Sequence, residues 1–194
     1  IPVKAFGTAK MRLADVLAPP QRAQLARLTA GRVLAAAAPC PTYVVCDDDE
    51  VAAWAEASGA MVLWRPGHGL NPAVTDGVTT LAGKGFDHVL VAHSDLLLAT
   101  TFEGLAEPDT VTLVPDRIED GTNVLAVPTG IGFEFAYGPG SYRRHLDQAI
   151  VRARGVRIVH DQRLALDVDT PADLAHPMIQ EELPSLRTNP DSRR

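Results

Sequence analysis

Short apolar runs alternate along this chain with longer segments whose apolar residues repeat at helical spacing. The apolar runs, several of them rich in β-branched residues, are residues 42–46, 61–64, 89–92, 110–114, 124–127 and 156–159. Helices are expected at residues 20–38, 51–58, 71–81 and 141–154. Alternating strands and helices favour a parallel sheet covered by helices. The sequence therefore predicts an α/β fold, a single-domain three-layer sandwich with a mostly parallel central sheet.

This domain is expected to span residues 1–175. A chain of 194 residues is long enough to bury a sizeable core. The remaining residues, 176–194, are mostly polar and are broken by Pro177, Pro184 and Pro190. Such a composition predicts a polar, flexible C-terminal tail.

The net charge and the hydropathy of the chain indicate which kinds of molecule it binds. The chain has 18 basic and 24 acidic residues, a net charge of −6. A broad nucleic-acid surface needs a basic excess, so none is expected. No apolar run approaches the roughly 20 residues that span a bilayer, so no membrane partner is expected. Cys40 and Cys46 fit a reducing cytoplasm, and no suitably spaced histidines accompany them to form a zinc site. We expect a cytoplasmic protein that acts on small molecules.

Asp95 closes the central apolar run, 89–92. Ligands of open α/β sheets bind just outside the carboxyl ends of the strands. A carboxylate at that position can hold a divalent metal ion or polarise a ligand. The alternative is that Asp95 only caps a turn, since aspartate side chains accept hydrogen bonds from nearby backbone groups.

A second pair of carboxylates lies near the end of the predicted domain. Asp167 and Asp169 flank Val168, so both point to one side if the segment is extended. Two like charges repel, and a magnesium ion, which prefers oxygen ligands, would neutralise them. The alternative is that Asp169 belongs to the helix cap at Thr170 and that Asp167 is merely exposed.

The N-terminal segment is basic. Residues 1–6 resemble the end of a first strand, and Lys4, Lys10 and Arg12 lie at or just after it. Fixed cations and backbone N–H groups after a strand suit a phosphate. The spacing is not that of a Walker motif. A solvated basic loop is the alternative.

Three further loops offer polar groups. Asn71 is expected to cap the helix 71–81 first and to contact a ligand second. The turn 121–123 contains Thr122 and could offer N–H groups and a hydroxyl to an anion, or be a plain turn. Ser141 is expected to cap the following helix, whose N-terminus also suits an anionic ligand.

A series of short segments in this chain recurs, in the same order, in one enzyme family. The segments are Pro2-Val3-Lys4, Ala9-Lys10-Met11-Arg12-Leu13-Ala14, Gly69-Leu70-Asn71, Ser94-Asp95-Leu96, Val114-Pro115-Asp116-Arg117, Gly121-Thr122-Asn123, Tyr137-Gly138-Pro139-Gly140-Ser141, His145-Leu146 and Leu166-Asp167-Val168-Asp169-Thr170-Pro171. By them the chain resembles the CofC/FbiD guanylyltransferases of coenzyme F(420) biosynthesis. The resemblance implies a Rossmann-like GT-A/MobA-like nucleotidyltransferase fold. It also implies transfer of GMP from GTP to the phosphate of phosphoenolpyruvate or 2-phospho-L-lactate, with release of pyrophosphate.

The resemblance also assigns roles to the charged residues. It implies that Asp95, Asp167 and Asp169 hold two magnesium ions. It implies that Lys10 and Arg12 hold the phosphates of GTP. All five residues are present here.

The same resemblance assigns the remaining site residues. Thr122, Gly138 and Ser141 are expected to hold the carboxylate of the acceptor. Lys4 is expected to contact phosphate, and the loop around Asn71 is expected to lie against the nucleoside. All of these residues are present in the matching segments.

One departure from the family pattern concerns the loop after the central strand. Family members often have Ala/Gly-Asp-Leu-Pro there, whereas this chain has Ser94-Asp95-Leu96-Leu97. The metal carboxylate is kept, but the missing proline bears on loop geometry and on the choice of acceptor. 3-Phosphoglycerate also carries a phosphate and a carboxylate at similar separation.

Other readings stay open from the sequence. A related nucleotidyltransferase could use another nucleotide or acceptor, such as CTP or a sugar phosphate. A non-catalytic nucleotide-binding domain should have lost a metal carboxylate or the basic loop, and this chain keeps both. An edge strand or the apolar face of a helix could pair two copies into a homodimer, but no sequence patch decides it.

Overall fold

The computed structural model describes residues 1–183, which form six strands and six α-helices. The strands are β1 (Tyr43–Cys46), β2 (Met61–Trp64), β3 (His88–Ala92), β4 (Thr110–Pro115), β5 (Thr122–Pro128) and β6 (Gly155–Ile158). The helices are α1 (Pro19–Ala37), α2 (Asp49–Ala57), α3 (Leu70–Gly83), α4 (Ser141–Arg152), α5 (Pro171–Leu174) and α6 (Pro177–Glu182). The six apolar runs and four helical segments expected from the sequence are confirmed. None of the helices within residues 1–183 is long and apolar enough to cross a membrane.

Local sequence rules explain where several helices begin. Pro19 stands in the first turn of α1, where a missing N–H costs no helical hydrogen bond. Asp48 caps α2, because its carboxylate accepts a hydrogen bond from the Val51 N–H at 3.0 Å. Thr170 caps α5 by accepting from the N–H of Asp173, whose carboxylate in turn accepts from the Thr170 N–H at 2.7 Å. Such caps satisfy N–H groups that have no partner within the helix.

The strands pair in two groups. β1 and β2 are parallel, and the extended N-terminus continues this group where Pro2 pairs with Val45 in parallel register. The second group has the order β3-β5-β4-β6, with β4 and β6 parallel and β5 antiparallel to both of its neighbours. Accordingly β3, β4 and β6 run in one direction and β5 runs against them. The expected α/β domain with mostly parallel strands is confirmed.

The reversal of β5 follows from its connection to β4. Only residues 116–121 join the two strands, whereas parallel neighbours need a crossover of about a dozen residues or more. Asp116 organises this loop, because its carboxylate accepts hydrogen bonds from three backbone N–H groups. These belong to Ile118 at 3.0 Å, Asp120 at 3.0 Å and Gly121 at 2.7 Å.

The prediction of a loose tail from residue 176 is wrong for its first residues. Residues 177–182 form α6, and Ile179 and Leu183 are buried. Pro177 does not prevent this helix because it stands in the first turn. The apolar side chains of this segment join a cluster that also contains Leu13 and Val168. Residues 184–194 of the predicted tail lie outside the described residues.

Candidate active site

One cavity of about 810 Å³ brings together the ends of several elements. Its walls come from the N-terminal segment, the loop after β3, the β4–β5 loop, the start of α4 and the residues before α5. Of the residues predicted for the site, it is lined by Lys4, Lys10, Arg12, Asp95, Thr122, Gly138, Ser141, Asp167 and Asp169. The structure therefore places these side chains around one space, as the strand-end argument expects.

Lys10 reaches into the cavity from a loop that is fastened on both sides. The loop consists of two 3₁₀ turns, and their buried residues Phe6 and Leu13 anchor it to the core. Lys10 lies between them with φ of 55°, a left-handed conformation that non-glycine residues rarely adopt. Its Nζ lies 3.2 Å from Asp95 Oδ2, and the lysine side chain is only 7% exposed. The loop thus holds a nearly buried cation at the end of β3.

Arg12 forms the second cation–carboxylate pair of the cavity. Its Nη1 lies 3.0 Å from Asp169 Oδ2, and the arginine side chain is 73% exposed. Exposed pairs of this kind contribute little to stability, since water competes for both partners. Arg12 can therefore exchange Asp169 for a phosphate at small cost.

The two acidic segments are joined by a backbone hydrogen bond. The Val168 N–H donates to the carbonyl oxygen of Asp95 at 3.1 Å, and Val168 itself is buried between Asp167 and Asp169. The alternation expected from the sequence thus turns the apolar residue into the core. It leaves both flanking carboxylates on the cavity wall.

The electrostatics of Asp95 and Asp167 differ. Burial, together with the charge of Asp95, raises the pKa of Asp167 to about 6. Burial would also raise the pKa of Asp95, but the neighbouring Lys10 outweighs it, and the pKa of Asp95 is lowered. The raised pKa of Asp167 means that two negative charges so close together are unfavourable. A cation bound between the two carboxylates would relieve their repulsion.

The carboxylates fit a magnesium ion in part. Asp95 Oδ1 is buried without a hydrogen-bond partner, and oxygen donors are what magnesium prefers. Within residues 1–183, however, no group of three His, Cys, Asp or Glu side chains is placed so that it could hold a metal ion. Asp169 faces Arg12 instead. Asp95 and Asp167 are therefore suited to bind a magnesium ion together. Asp169 could join them as a third carboxylate ligand only if its ion pair with Arg12 breaks.

The first residues of β5 and α4 bring hydroxyls to the cavity. Thr122 and Ser141 are almost fully buried, and the Thr122 N–H donates to Ser141 Oγ at 3.1 Å. The prediction that Ser141 caps α4 is wrong. The N-cap is Gly140, whose φ of 71° suits glycine, and Ser141 is the first helical residue. Gly138, with φ of 116°, lines the same cavity.

Comparison with known proteins settles the family. A family model described as "Guanylyl transferase CofC like" matches residues 1–184. The chain belongs to this CofC-like family. It is 38% identical to the phosphoenolpyruvate guanylyltransferase of Sphaerobacter thermophilus, over 90% of this chain and 88% of that one. It is 34% identical to the 2-phospho-L-lactate guanylyltransferase of Halorubrum lacusprofundi, over 89% of this chain and 80% of that one. The resemblance drawn from the sequence is confirmed, and the chain is an enzyme of the nucleotidyltransferase class.

Solved structures support the fold of this CofC-like enzyme. A nucleotidyl transferase from Methanothermobacter superposes with a TM-score of 0.62 at 13% identity, over 95% of this chain and 96% of that one. A Desulfovibrio desulfuricans protein assigned to the nucleotide-diphospho-sugar transferases gives a TM-score of 0.66 at 16% identity, over 95% and 94%. At such identities the likeness concerns the fold, and it confirms the expected nucleotidyltransferase fold.

Asn71 does not play the local role expected of it. The helix α3 begins at Leu70 with Gly69 as its N-cap, so the prediction of an Asn71 cap is wrong. The Asn71 amide instead binds the backbone of Tyr137, accepting from its N–H at 2.7 Å and donating to its carbonyl at 3.2 Å. Leu70 lines the cavity beside it. Contact of Asn71 with a nucleoside stays a prediction.

Several residues of this CofC-like site had no assigned role from the sequence. His93 and Arg117 line the cavity, and Arg117 Nη2 lies 3.5 Å from Asp173 Oδ1. Burial lowers the pKa of His93, whose ring packs 4.9 Å from that of Tyr137. His145 is completely buried, and its Nδ1 lies 3.0 Å from the hydroxyl oxygen of Thr122. The segments that contain Arg117 and His145 were among those shared with the family, which was the sequence signal for Arg117. His145 also stood out as a basic residue near the start of a helix, where it opposes the helix dipole.

Proposed function

We propose that this enzyme transfers GMP from GTP to the phosphate of phosphoenolpyruvate or 2-phospho-L-lactate and releases pyrophosphate, as a step of coenzyme F(420) biosynthesis. The observation that carries the proposal is that one cavity gathers two kinds of group. Cations and carboxylates from the N-terminal segment and the two acidic segments line it, and so do the buried hydroxyls of Thr122 and Ser141. This combination suits a triphosphate together with a small acid. The names of the relatives support both acceptors.

The chemical step needs no nucleophile from the protein. An anionic oxygen of the acceptor phosphate attacks the α-phosphorus of GTP and forms a new P–O bond. The bond from the α-phosphorus to the oxygen that bridges it to the β-phosphorus breaks, and pyrophosphate leaves with the electron pair. Catalysis of such transfers consists mainly of positioning and of charge stabilisation.

The basic residues of this chain can supply both. Lys10 and Arg12 would leave Asp95 and Asp169 and bind the phosphates of GTP, while Lys4 would contact phosphate from the strand end. The pairs seen in the structure, at 3.2 Å and 3.0 Å, show that both cations already point into the cavity. Their release leaves the two carboxylates free to bind metal.

We also propose that magnesium acts at this site, held by Asp95 and Asp167 and, once Arg12 has moved, by Asp169. Two such ions would neutralise the charge of two approaching polyanions and stabilise the charge that develops on transfer. The unpartnered Oδ1 of Asp95 and the raised pKa of Asp167 support the proposal.

The test is release of pyrophosphate from GTP and magnesium, with phosphoenolpyruvate, 2-phospho-L-lactate and 3-phosphoglycerate offered in separate reactions. We expect release with phosphoenolpyruvate or 2-phospho-L-lactate, and little without an acceptor. Omission of magnesium should abolish it. If no pyrophosphate is released with any of the three acceptors while GTP still binds, the proposed activity is overturned.

An Asp95→Asn variant serves as the control for the site. Loss of a metal carboxylate should lower the rate by about a hundredfold or more, since even groups that only support a metal ligand cost 10- to 100-fold. Asp147→Asn, on the exposed outer face of α4, should keep full activity. Full activity of Asp95→Asn, with the same circular dichroism spectrum as the parent, would contradict the metal assignment.

A further inference from the structure

His145 binds two separate elements through its two ring nitrogens. It lies on α4 and is completely buried. Its Nδ1 lies 3.0 Å from the hydroxyl oxygen of Thr122 on β5. Its Nε2 accepts a hydrogen bond at 2.9 Å from the backbone N–H of Ala136, in the segment that leads to Gly138. The imidazole therefore joins β5 at Thr122 to the segment that leads to Gly138, and both of these residues line the cavity.

These contacts fix the tautomer of the ring. A backbone N–H can only donate, so Nε2 of His145 must be unprotonated to accept from Ala136. Burial, reinforced by the charge of Arg144, lowers the pKa of His145 to about 4, so the ring is neutral near pH 7. A neutral ring carries one proton, which must then be on Nδ1. Nδ1 consequently donates to the Thr122 hydroxyl oxygen.

The direction of this hydrogen bond decides what the Thr122 hydroxyl can do. Its oxygen accepts from His145, which leaves its own proton available for another acceptor. The Ser141 hydroxyl also keeps its proton available, because its oxygen accepts a hydrogen bond from the Thr122 N–H. Within residues 1–183, neither hydroxyl donates its proton to a protein acceptor. Both residues line the cavity, so two hydroxyl donors are available to a ligand that can only accept, such as a carboxylate.

We propose that His145 is a positioning residue for the acceptor, although it does not itself line the cavity. It holds the Thr122 hydroxyl as a donor toward the acceptor's carboxylate and fastens the Gly138 segment beside it. The inference depends on the proposed function, which supplies the carboxylate. A purely structural role would be to fill space among Tyr137 and Phe133, whose rings lie 4.8 Å and 5.7 Å away.

Two variants separate the two hydrogen bonds. His145→Gln keeps an acceptor near the position of Nε2 but loses the donor to Thr122. We expect it to raise the KM for the acceptor about tenfold, the cost of a weakened hydrogen bond to a charged group, with the KM for GTP unchanged. His145→Asn keeps a donor near Nδ1 and should retain an acceptor KM closer to that of the parent. His160→Gln, at an exposed position outside the cavity, is the matched control and should change neither KM.

A double-mutant cycle tests whether His145 acts through the Thr122 hydroxyl. Thr122→Val removes the hydroxyl with little change of shape and should also raise the acceptor KM. Adding His145→Gln to Thr122→Val should raise it little further, because both changes remove the same interaction. Full additivity, or an equal rise in the KM for GTP, would show that His145 only supports the fold and would overturn the inference.

A measurement that does not use turnover completes the test. Nitrogen-15 NMR of the histidine rings distinguishes the two neutral tautomers, and we expect the proton of His145 on Nδ1. A proton on Nε2 would overturn the inference whatever the kinetics. Absence of turnover by the parent enzyme with every acceptor would instead refute the proposed function, and the acceptor role of His145 with it.

Discussion

Asp95 and Asp169, two carboxylates expected to bind metal, are each paired with a cation expected to bind phosphate. Lys10 is paired with Asp95, and Arg12 is paired with Asp169. The pairs keep charges of both signs compensated within a cavity before any substrate arrives. Binding of a magnesium nucleotide would then be an exchange of partners, with metal taking the carboxylates and phosphates taking the cations. Such an exchange costs less than uncovering isolated buried charges.

The pH dependence of stability offers a test at His145. An unfolded histidine titrates near pH 6.5, whereas burial lowers the pKa of His145 to about 4. Between these values the unfolded chain binds the proton more readily, so this group's contribution is complete above pH 6.5 and is lost as the pH falls toward 4. The loss amounts to up to about 3 kcal/mol.

His145→Gln should remove this part of the pH dependence. Its free energy of unfolding in urea, measured between pH 7 and pH 4.5, should fall less steeply than that of the parent, even if the variant is less stable at pH 7. His160→Gln, which changes an exposed ring, should leave the parent's slope intact. Identical slopes for His145→Gln and the parent would show that His145 is not held neutral in the fold.

A residue's role could be predicted from the sequence where the interaction that controls it is local. Asp167 and Asp169 could be placed because the buried Val168 between them fixes their side. Asn71 and Ser141 were expected to cap helices, as those residue types usually do. Their actual partners, Tyr137 and Thr122, lie far away in the sequence, and no local pattern identifies them.

Among the secondary-structure elements, α6 packs against the residues that hold the two charged loops of the site in place. Ile179 belongs to the same apolar cluster as Leu13, which follows Arg12, and Val168, which separates the two aspartates. This packing joins the end of the described chain to both charged loops. A short helix between prolines carries too weak a periodic signal to be found in the sequence, because only its tertiary contacts make it stable.

Ile179→Ala measures the strength of this support. Truncating a fully buried isoleucine should lower the free energy of unfolding by about 2–5 kcal/mol, through lost burial and the cavity left behind. Ile150→Ala, on the exposed face of α4, should change it by no more than about 0.5 kcal/mol. Equally small effects in urea denaturation would mean that α6 is not packed against the cluster.

The positions of the strands and of the longer helices were largely predictable from the sequence. The direction of each strand in the sheet was less predictable. Each strand was indicated by an apolar run and each of the four longer helices by its spacing or caps. The reversal of β5 depends on the loop 116–121, where Asp116 collects three backbone N–H groups. From the sequence, a hairpin turn at 121–123 was only an alternative to an anion-binding turn. In the structure Thr122 and Asn123 already belong to β5, and the connection between the antiparallel strands is the loop 116–121, which also borders the cavity.

For the molecule as a whole, the fold explains how a chain with a net charge of −6 can accept polyanions. Several separate segments meet at one cavity, and the N-terminal one alone brings Lys4, Lys10 and Arg12 to it. The electrostatic potential that a substrate encounters in the cavity is therefore determined by the nearby basic residues rather than by the net charge of the chain. Pairing of two copies of the chain stays a prediction, as does cytoplasmic location.

The central claim is that GMP is joined to the phosphate of a small acid, and the identity of the product tests it most directly. Reaction mixtures of GTP, magnesium and phosphoenolpyruvate or 2-phospho-L-lactate should be examined by phosphorus-31 NMR and mass spectrometry. We expect pyrophosphate together with a compound in which one bridging oxygen joins the α-phosphorus of GTP to the acceptor's phosphorus. GMP with an unchanged acceptor, or GDP as the nucleotide product, would contradict the account.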